Sequence, residues 1–106
     1  MRGSVVVVPF PFSDLSNSKK RPALVVASLK GDDLILAQIT SVSRIDDYSV
    51  MLLKNDFEQG GLKSDSVIRP NRLFTADSSI LFYVAGLVNK KKMEEVQKAL
   101  KNIFLF

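Results

Sequence analysis

With 106 residues, 46% of them hydrophobic and 25% charged, the chain has the composition of an ordinary globular protein, and residues 1–106 are read as one domain with one core. It has no cysteine and no histidine, which excludes disulfides and thiolate chemistry, disfavours zinc sites, and removes the usual general base of a catalytic triad. The net charge of +4 is uneven: residues 1–30 carry +4, 31–88 carry −3 and 89–106 carry +3, an asymmetry that suggests an anionic partner, nucleic acid first.

Residues 4–8 open the chain with a serine and four valines, a run that reads as a strand buried on both faces. Pro9 and Pro11 follow at a spacing that no central ladder tolerates, so the strand is expected to leave the sheet or lie at its edge there. Phe10 and Phe12 are read as core or subunit contacts, with base stacking on Phe12 as the sharper alternative.

Residues 13–20 form a polar loop that ends in Arg21-Pro22, where the apolar run 23–27 begins. Proline suits the first residue of a strand and biases Arg21 towards an extended conformation, which places Arg21 at a strand mouth. The loop adds Asn17, Ser18, Lys19 and Lys20, a mixture suited to phosphate oxygens. Cations flanking an apolar strand also guard it against aggregation, and from this stretch alone both readings stand.

The run 23–27 is expected to pair with 33–40 across a turn at 29–32, whose Gly31 permits a positive φ. Thr40 and Ser41 close that second strand, where a hydroxyl pair also serves as a local cap. Residues 42–48 read as loop, 50–53 as a short strand, and 56–63 with Gly60-Gly61 as a turn. Residues 66–68 read as a strand ending at Arg69-Pro70, 71–77 as a short strand or a turn, and 81–87 as a last strand.

The clearest helix follows Asn89 as N-cap: Met93, Val96, Ala99, Leu100, Ile103 and Phe104 fall on one face at helical spacing. Lys90, Lys91 and Lys92 oppose the helix dipole and read as a solvated face. The apolar end 103–106 is expected to pack into the core or against a second subunit. No apolar stretch approaches the roughly 20 residues of a membrane helix, and Met1-Arg2 opens no signal peptide, so a cytoplasmic protein without a membrane partner is expected. The scattered acids make no recognised metal loop, and no phosphate-cradling glycine motif is present.

Taken together, residues 3–15 (GSVVVVPFPFSDL), 20–26 (KRPALVV), 38–41 (QITS) and 60–69 (GGLKSDSVIR) resemble the MazF/PemK toxins of bacterial type II toxin-antitoxin systems. Each piece alone is weak; four in the right order are specific, and the resemblance fades after about Leu87. It implies a mainly β (α+β) fold, an SH3-like barrel of antiparallel strands with a C-terminal amphipathic helix. It further implies a homodimeric endoribonuclease that cuts single-stranded RNA without metal or other cofactor, and a cognate antitoxin whose acidic, flexible tail covers the active groove. Carried over by position, Arg21 and Thr40 are the catalytic residues and Arg69 a basic residue of the groove; the family's first loop, here 13–20, varies, and Asn17, Ser18, Lys19 and Lys20 join Ser41, Arg69 and Asn71 as expected RNA contacts on their own chemistry. Two departures stand out: Asn71 occupies a position that is often acidic, and Ser4 one where aspartate or glutamate is common.

The implied chemistry is attack of the RNA 2′-hydroxyl on its own phosphorus, leaving a 2′,3′-cyclic phosphate and a 5′-hydroxyl. An Arg fork stabilises the developing charge and Thr40 adds a hydroxyl donor. Arginine is a poor base, so the proton acceptor is a carboxylate such as Asp14, a backbone group or water. Two other classes compete: a non-catalytic binding module on the same barrel, and a gyrase-binding toxin of the same fold.

Overall fold

Four consecutive buried valines, Val5 to Val8, mean that β1 (Ser4–Phe10) must be covered on both faces, because successive side chains of a strand point to opposite sides. The computed structural model describes residues 1–10 and 19–105. In it β1 belongs to a seven-stranded antiparallel sheet with β2 (Lys19–Ser28), β3 (Asp33–Ser41), β4 (Val50–Leu52), β5 (Phe57–Gly60), β6 (Ser66–Asp77) and β7 (Tyr83–Val88). The strand order is β4-β6-β3-β2-β1-β7-β5, and the helix α1 (Lys90–Phe104) follows β7. This half-barrel with one C-terminal helix is the fold class expected from the sequence. Among the described residues no helix is long and apolar enough to cross a membrane.

Alternation along the central strands divides the core in two. Val5, Leu24, Ala37 and Ile39 pack with Met93 and Val96 of α1 on one side. Val6, Val8, Phe10, Ala23, Val25, Leu34 and Leu36 pack on the other, where the Phe10 and Phe74 rings meet edge to face at 4.9 Å. Each fully buried Val or Leu contributes roughly 2 kcal/mol relative to exposure, so both layers are needed to hold a sheet of this size.

The expected hairpin is present: β2 and β3 pair antiparallel with Val25 opposite Leu36, and Gly31 takes φ +74° in the turn. Asn89 caps α1 as expected, its side-chain oxygen accepting a bond from Lys92 N–H at 2.8 Å. Met93 and Val96 are buried and Ala99 and Leu100 pack partly against the same core. Pro9 lies opposite Lys20 within β1, but β7 pairs only with residues 4–7, so beyond Val7 the strand has a single neighbour and the missing N–H is tolerated. Phe12 lies outside the described residues.

Three expectations need correction. The segment read as a turn at 56–63 contains β5, which pairs with β7; Gly86 permits the close approach, since a Cβ there would meet Gln59 O at 2.6 Å and Phe57 Cδ2 at 2.8 Å. The strand at 66–68 does not end at Arg69-Pro70 but continues to Asp77, because residues 70–72 bulge out of the ladder: Arg69 pairs with Gln38 and Leu73 with the adjacent Ala37. Lys92 is not part of a solvated face; it is 5% exposed, with Nζ 3.1 Å from Glu95 Oε2 and 3.5 Å from Asp56 Oδ2. Phe104 and Leu105 are 59% and 73% exposed, which leaves packing against a second subunit as the standing half of the expectation for these two residues.

Candidate active site

Three neighbouring strands deliver polar side chains to one end of the sheet. On β2, Arg21 stands opposite Val8, two residues before the β2–β3 ladder begins at Ala23 and Gln38, so Pro22 falls where β3 needs no donor from it. The strand itself starts at Lys19, three residues before the Pro22 start read from the sequence. On β3, Gln38 and Thr40 share a face by the period of two, and Thr40 pairs with Val67 of β6. On β6, the bulge at 70–72 turns the backbone so that Arg69 and Arg72 both reach the same space, which regular alternation would deny to residues three apart.

The result is a cavity of about 410 Å³ lined by Arg21, Gln38, Ile39, Thr40, Ser41, Ser43, Arg44, Arg69 and Arg72. Four arginines and three hydroxyl residues line it, and among the described residues no Asp or Glu does. Such a wall suits a polyanion, and its planar forks suit the paired oxygens of a phosphodiester. Thr40 Oγ1 donates to Ser41 O at 3.4 Å, a long bond readily exchanged for a ligand oxygen, while Ser41 and Ser43 hydroxyls lie 2.7 Å apart. A neighbouring, mainly apolar cavity of about 470 Å³ shares Gln38 and Arg72 and extends over Phe10, Phe74 and Ile80.

Of the residues expected to contact RNA, the fold gathers Arg21, Thr40, Ser41 and Arg69 in one cavity. Lys20 is elsewhere: alternation along β2 turns it away from Arg21 into a groove with Leu62, Lys63 and Tyr83, its Nζ 4.9 Å from the centre of the Phe82 ring. Lys19 is exposed on β2 opposite Phe10 and lines neither cavity. Asn71 projects from the bulge to Asp46, to which its Nδ2 donates at 3.3 Å. Asn17, Ser18 and Asp14 lie outside the described residues. The sequence reading did not include Gln38, Ser43, Arg44 and Arg72; Gln38 was within reach, because it shares the period-two face of Thr40, whereas Arg72 depends on a bulge that local pattern does not announce.

Arg69 is held by an ion pair. Its Nη2 donates to Asp46 Oδ2 at 2.8 Å, and both groups are shielded, with side chains 14% and 31% exposed. Asp46 Oδ1 in turn accepts Tyr48 N–H at 2.9 Å and the Ser49 hydroxyl at 3.1 Å. The Arg69 guanidinium first, then the Tyr48 N–H, with smaller help from Ser49 and Asn71, holds the Asp46 carboxyl well below the usual carboxylate range despite the opposing effect of partial desolvation. A carboxyl with a lowered folded pKa stabilises the fold above its unfolded pKa and ceases to do so as pH falls through the folded value. The Asp46 carboxyl carbon should therefore keep its ionised NMR shift through pH 3.8, the ordinary value for aspartate. A midpoint near that ordinary value would show that the Arg69 contact is not held in solution. Among the described residues no group of three or more His, Cys, Asp or Glu side chains is placed to hold a metal ion.

Comparison with known proteins finds the same fold. Solved structures of similar fold include an endoribonuclease in complex with its cognate antitoxin from a mycobacterial species, at 16% identity and TM-score 0.73, covering 96% of this chain and 89% of the other. The Mycobacterium tuberculosis toxin MazF-mt6 aligns at 19% identity and TM-score 0.73 over 95% of each chain. A MazE-MazF structure from Deinococcus radiodurans aligns at 16% identity and TM-score 0.76, over 96% of this chain and 92% of the other. At these identities the likeness is one of fold. Among curated proteins no sequence relative matches the chain. The family model that does match describes PemK-like, MazF-like toxins of type II toxin-antitoxin systems and spans residues 1–104, nearly the whole sequence, so the chain belongs to that toxin family.

Proposed function

We propose that this toxin is an endoribonuclease that cuts single-stranded RNA inside the arginine-lined cavity, with Arg21 and Thr40 as catalytic residues. The observation that supports it most is the convergence of four arginines with Thr40 on one cavity of a family toxin. In the reaction, the 2′-oxygen bonds to the adjacent phosphorus, the bond from phosphorus to the 5′-oxygen breaks, and the products end in a 2′,3′-cyclic phosphate and a 5′-hydroxyl. The protein's work is to hold attacking and leaving oxygens in line and to stabilise the charge that gathers on the phosphate oxygens. Arg21 supplies a two-pronged donor and Thr40 a hydroxyl, and the nucleophile belongs to the RNA, so DNA lacking it is bound but not cut. Asp46, tied to Arg69 and held ionised, is a weak proton acceptor.

The expected partners are a second copy of the chain, which would cover the exposed Phe104 and Leu105, and a cognate antitoxin of the kind bound to the mycobacterial and Deinococcus structures. An antitoxin segment with acidic residues matches the charge of the cavity. Incubation of the purified toxin with a short single-stranded RNA in EDTA tests the reading. Cleavage with cyclic phosphate ends is expected. Intact RNA, or cutting only after a divalent ion is restored, would refute it, and a light-scattering mass of 11.8 kDa would refute the homodimer.

A further inference from the structure

We infer that Asp46 is a positioning residue for cleavage: it fixes the Arg69 guanidinium against the cavity wall and weakens RNA binding in exchange for orientation. The inference rests on the ribonuclease reading and deepens it. Asp46 does not line the cavity; it stands behind Arg69, on the loop between β3 and β4. Its two oxygens receive four donors. Oδ1 accepts Tyr48 N–H at 2.9 Å and Ser49 Oγ–H at 3.1 Å, and Oδ2 accepts Arg69 Nη2 at 2.8 Å and Asn71 Nδ2 at 3.3 Å. Ser49 Oγ also accepts Asp46 N–H at 2.9 Å, so the carboxylate is itself immobilised from its own backbone. Only a carboxylate satisfies this set, because an amide offers one acceptor atom and would turn a donor either to the loop or to Arg69.

Arg69 needs such a clamp. Its side chain is packed, at 14% exposed, and the bond from Nη2 to Asp46 sets which way the guanidinium plane turns; a phosphate met by a turned fork is attracted but not aligned. The clamp also has an electrostatic consequence. Asp46 places a negative charge 2.8 Å from one of the four cavity arginines, which lowers the pull of the cavity on RNA. The two effects have opposite signs on binding and on turnover, and that separates positioning from mere support of the fold.

Steady-state kinetics on a short single-stranded RNA at low salt, with thermal melts of each variant, test the inference. Asp46→Asn should lower kcat by at least about tenfold, from lost orientation, and lower KM at the same time, from the unmasked charge. Asn71→Asp in the Asp46→Asn background should restore much of kcat and raise KM again, because Asn71 Nδ2 already meets the oxygen that Arg69 meets. An unchanged kcat in folded Asp46→Asn would overturn the inference, as would a lower kcat accompanied by a raised KM. If Asp46→Asn melts early and the double variant neither refolds nor cuts, Asp46 holds its loop rather than Arg69, which also overturns it. A wild-type protein that leaves RNA intact would instead sink the ribonuclease reading, and this inference with it.

Discussion

Arg21→Ala should reduce the single-turnover rate of RNA cleavage by about 10²- to 10³-fold, the usual consequence of removing one preorganised donor to developing charge. Thr40→Ala should fall in the same range. Neither should cost much stability. Arg21 is exposed near the start of β2 and belongs to neither core cluster, and surface substitutions usually change stability by within about 0.5 kcal/mol. Thr40 is half-buried beside Ile39, so its truncation removes little apolar area. Arg21→Lys is the more informative variant: it keeps the charge and loses the planar fork, and on the proposed mechanism it should cut nearly as poorly as Arg21→Ala. A folded Arg21→Ala protein that cleaves at the parental rate would remove Arg21 from the mechanism. A large drop in its melting temperature would make Arg21 structural, the strand guard that its flanking position also suggests.

How far such a site is legible in a sequence depends on where its constraints come from. β1, the β2–β3 hairpin and α1 are written locally: valine runs, Gly31 in the turn, Asn89 ahead of a 3.6-residue apolar repeat. β5 has no such signature. Phe57–Gly60 is a polar edge strand with three of its four residues exposed, recognised as a strand only because β7 pairs with it and because Gly60 at φ +66° and Gly86 allow the two to approach. β6 carries a misleading signature, since Arg69-Pro70 resembles a strand end until the bulge at 70–72 absorbs the proline. The site divides in the same way. Arg21, Thr40 and Ser41 sit on strands that the pattern reveals. Arg44 comes from the short helical turn Val42–Arg44 and Arg72 from the bulge, so both required the fold. The Asp46 contact to Arg69 spans 23 residues of sequence and has no local trace at all.

Lys92 is the clearest case of a residue whose sequence context misleads, and replacing it with alanine should destabilise the protein by about 3 kcal/mol, the lower end of the cost of breaking a buried ion pair. In a run of three lysines at a helix start it looks solvated, yet its side chain is only 7% exposed. Its ammonium reaches Glu95 Oε2 at 3.1 Å on the same helix and Asp56 Oδ2 at 3.5 Å across the domain. That second contact joins a clamp: Asp56 Oδ2 also accepts Leu53 N–H at 2.7 Å, and Asp56 O accepts Asn89 N–H at 2.8 Å, so α1 is tied at its first turn to the segment entering β5. Alanine would remove the apolar stem and leave Asp56, 19% exposed, without its cation. Glu95 would lose less, since at 49% exposed it is solvated by water. Lys92→Met keeps the apolar stem and loses the same cation, so it should cost somewhat less than Lys92→Ala, and the difference between the two measures the stem. For a domain of this size a loss of about 3 kcal/mol lowers the melting temperature by roughly 15 °C. Because Lys92 lines neither cavity, cleavage per folded molecule should stay at the parental rate below the melting transition. A Lys92→Ala protein melting within about 2 °C of the parent would show that the ammonium is solvated after all, and that the helix start is held by the Asn89 cap and the Met93 and Val96 contacts alone.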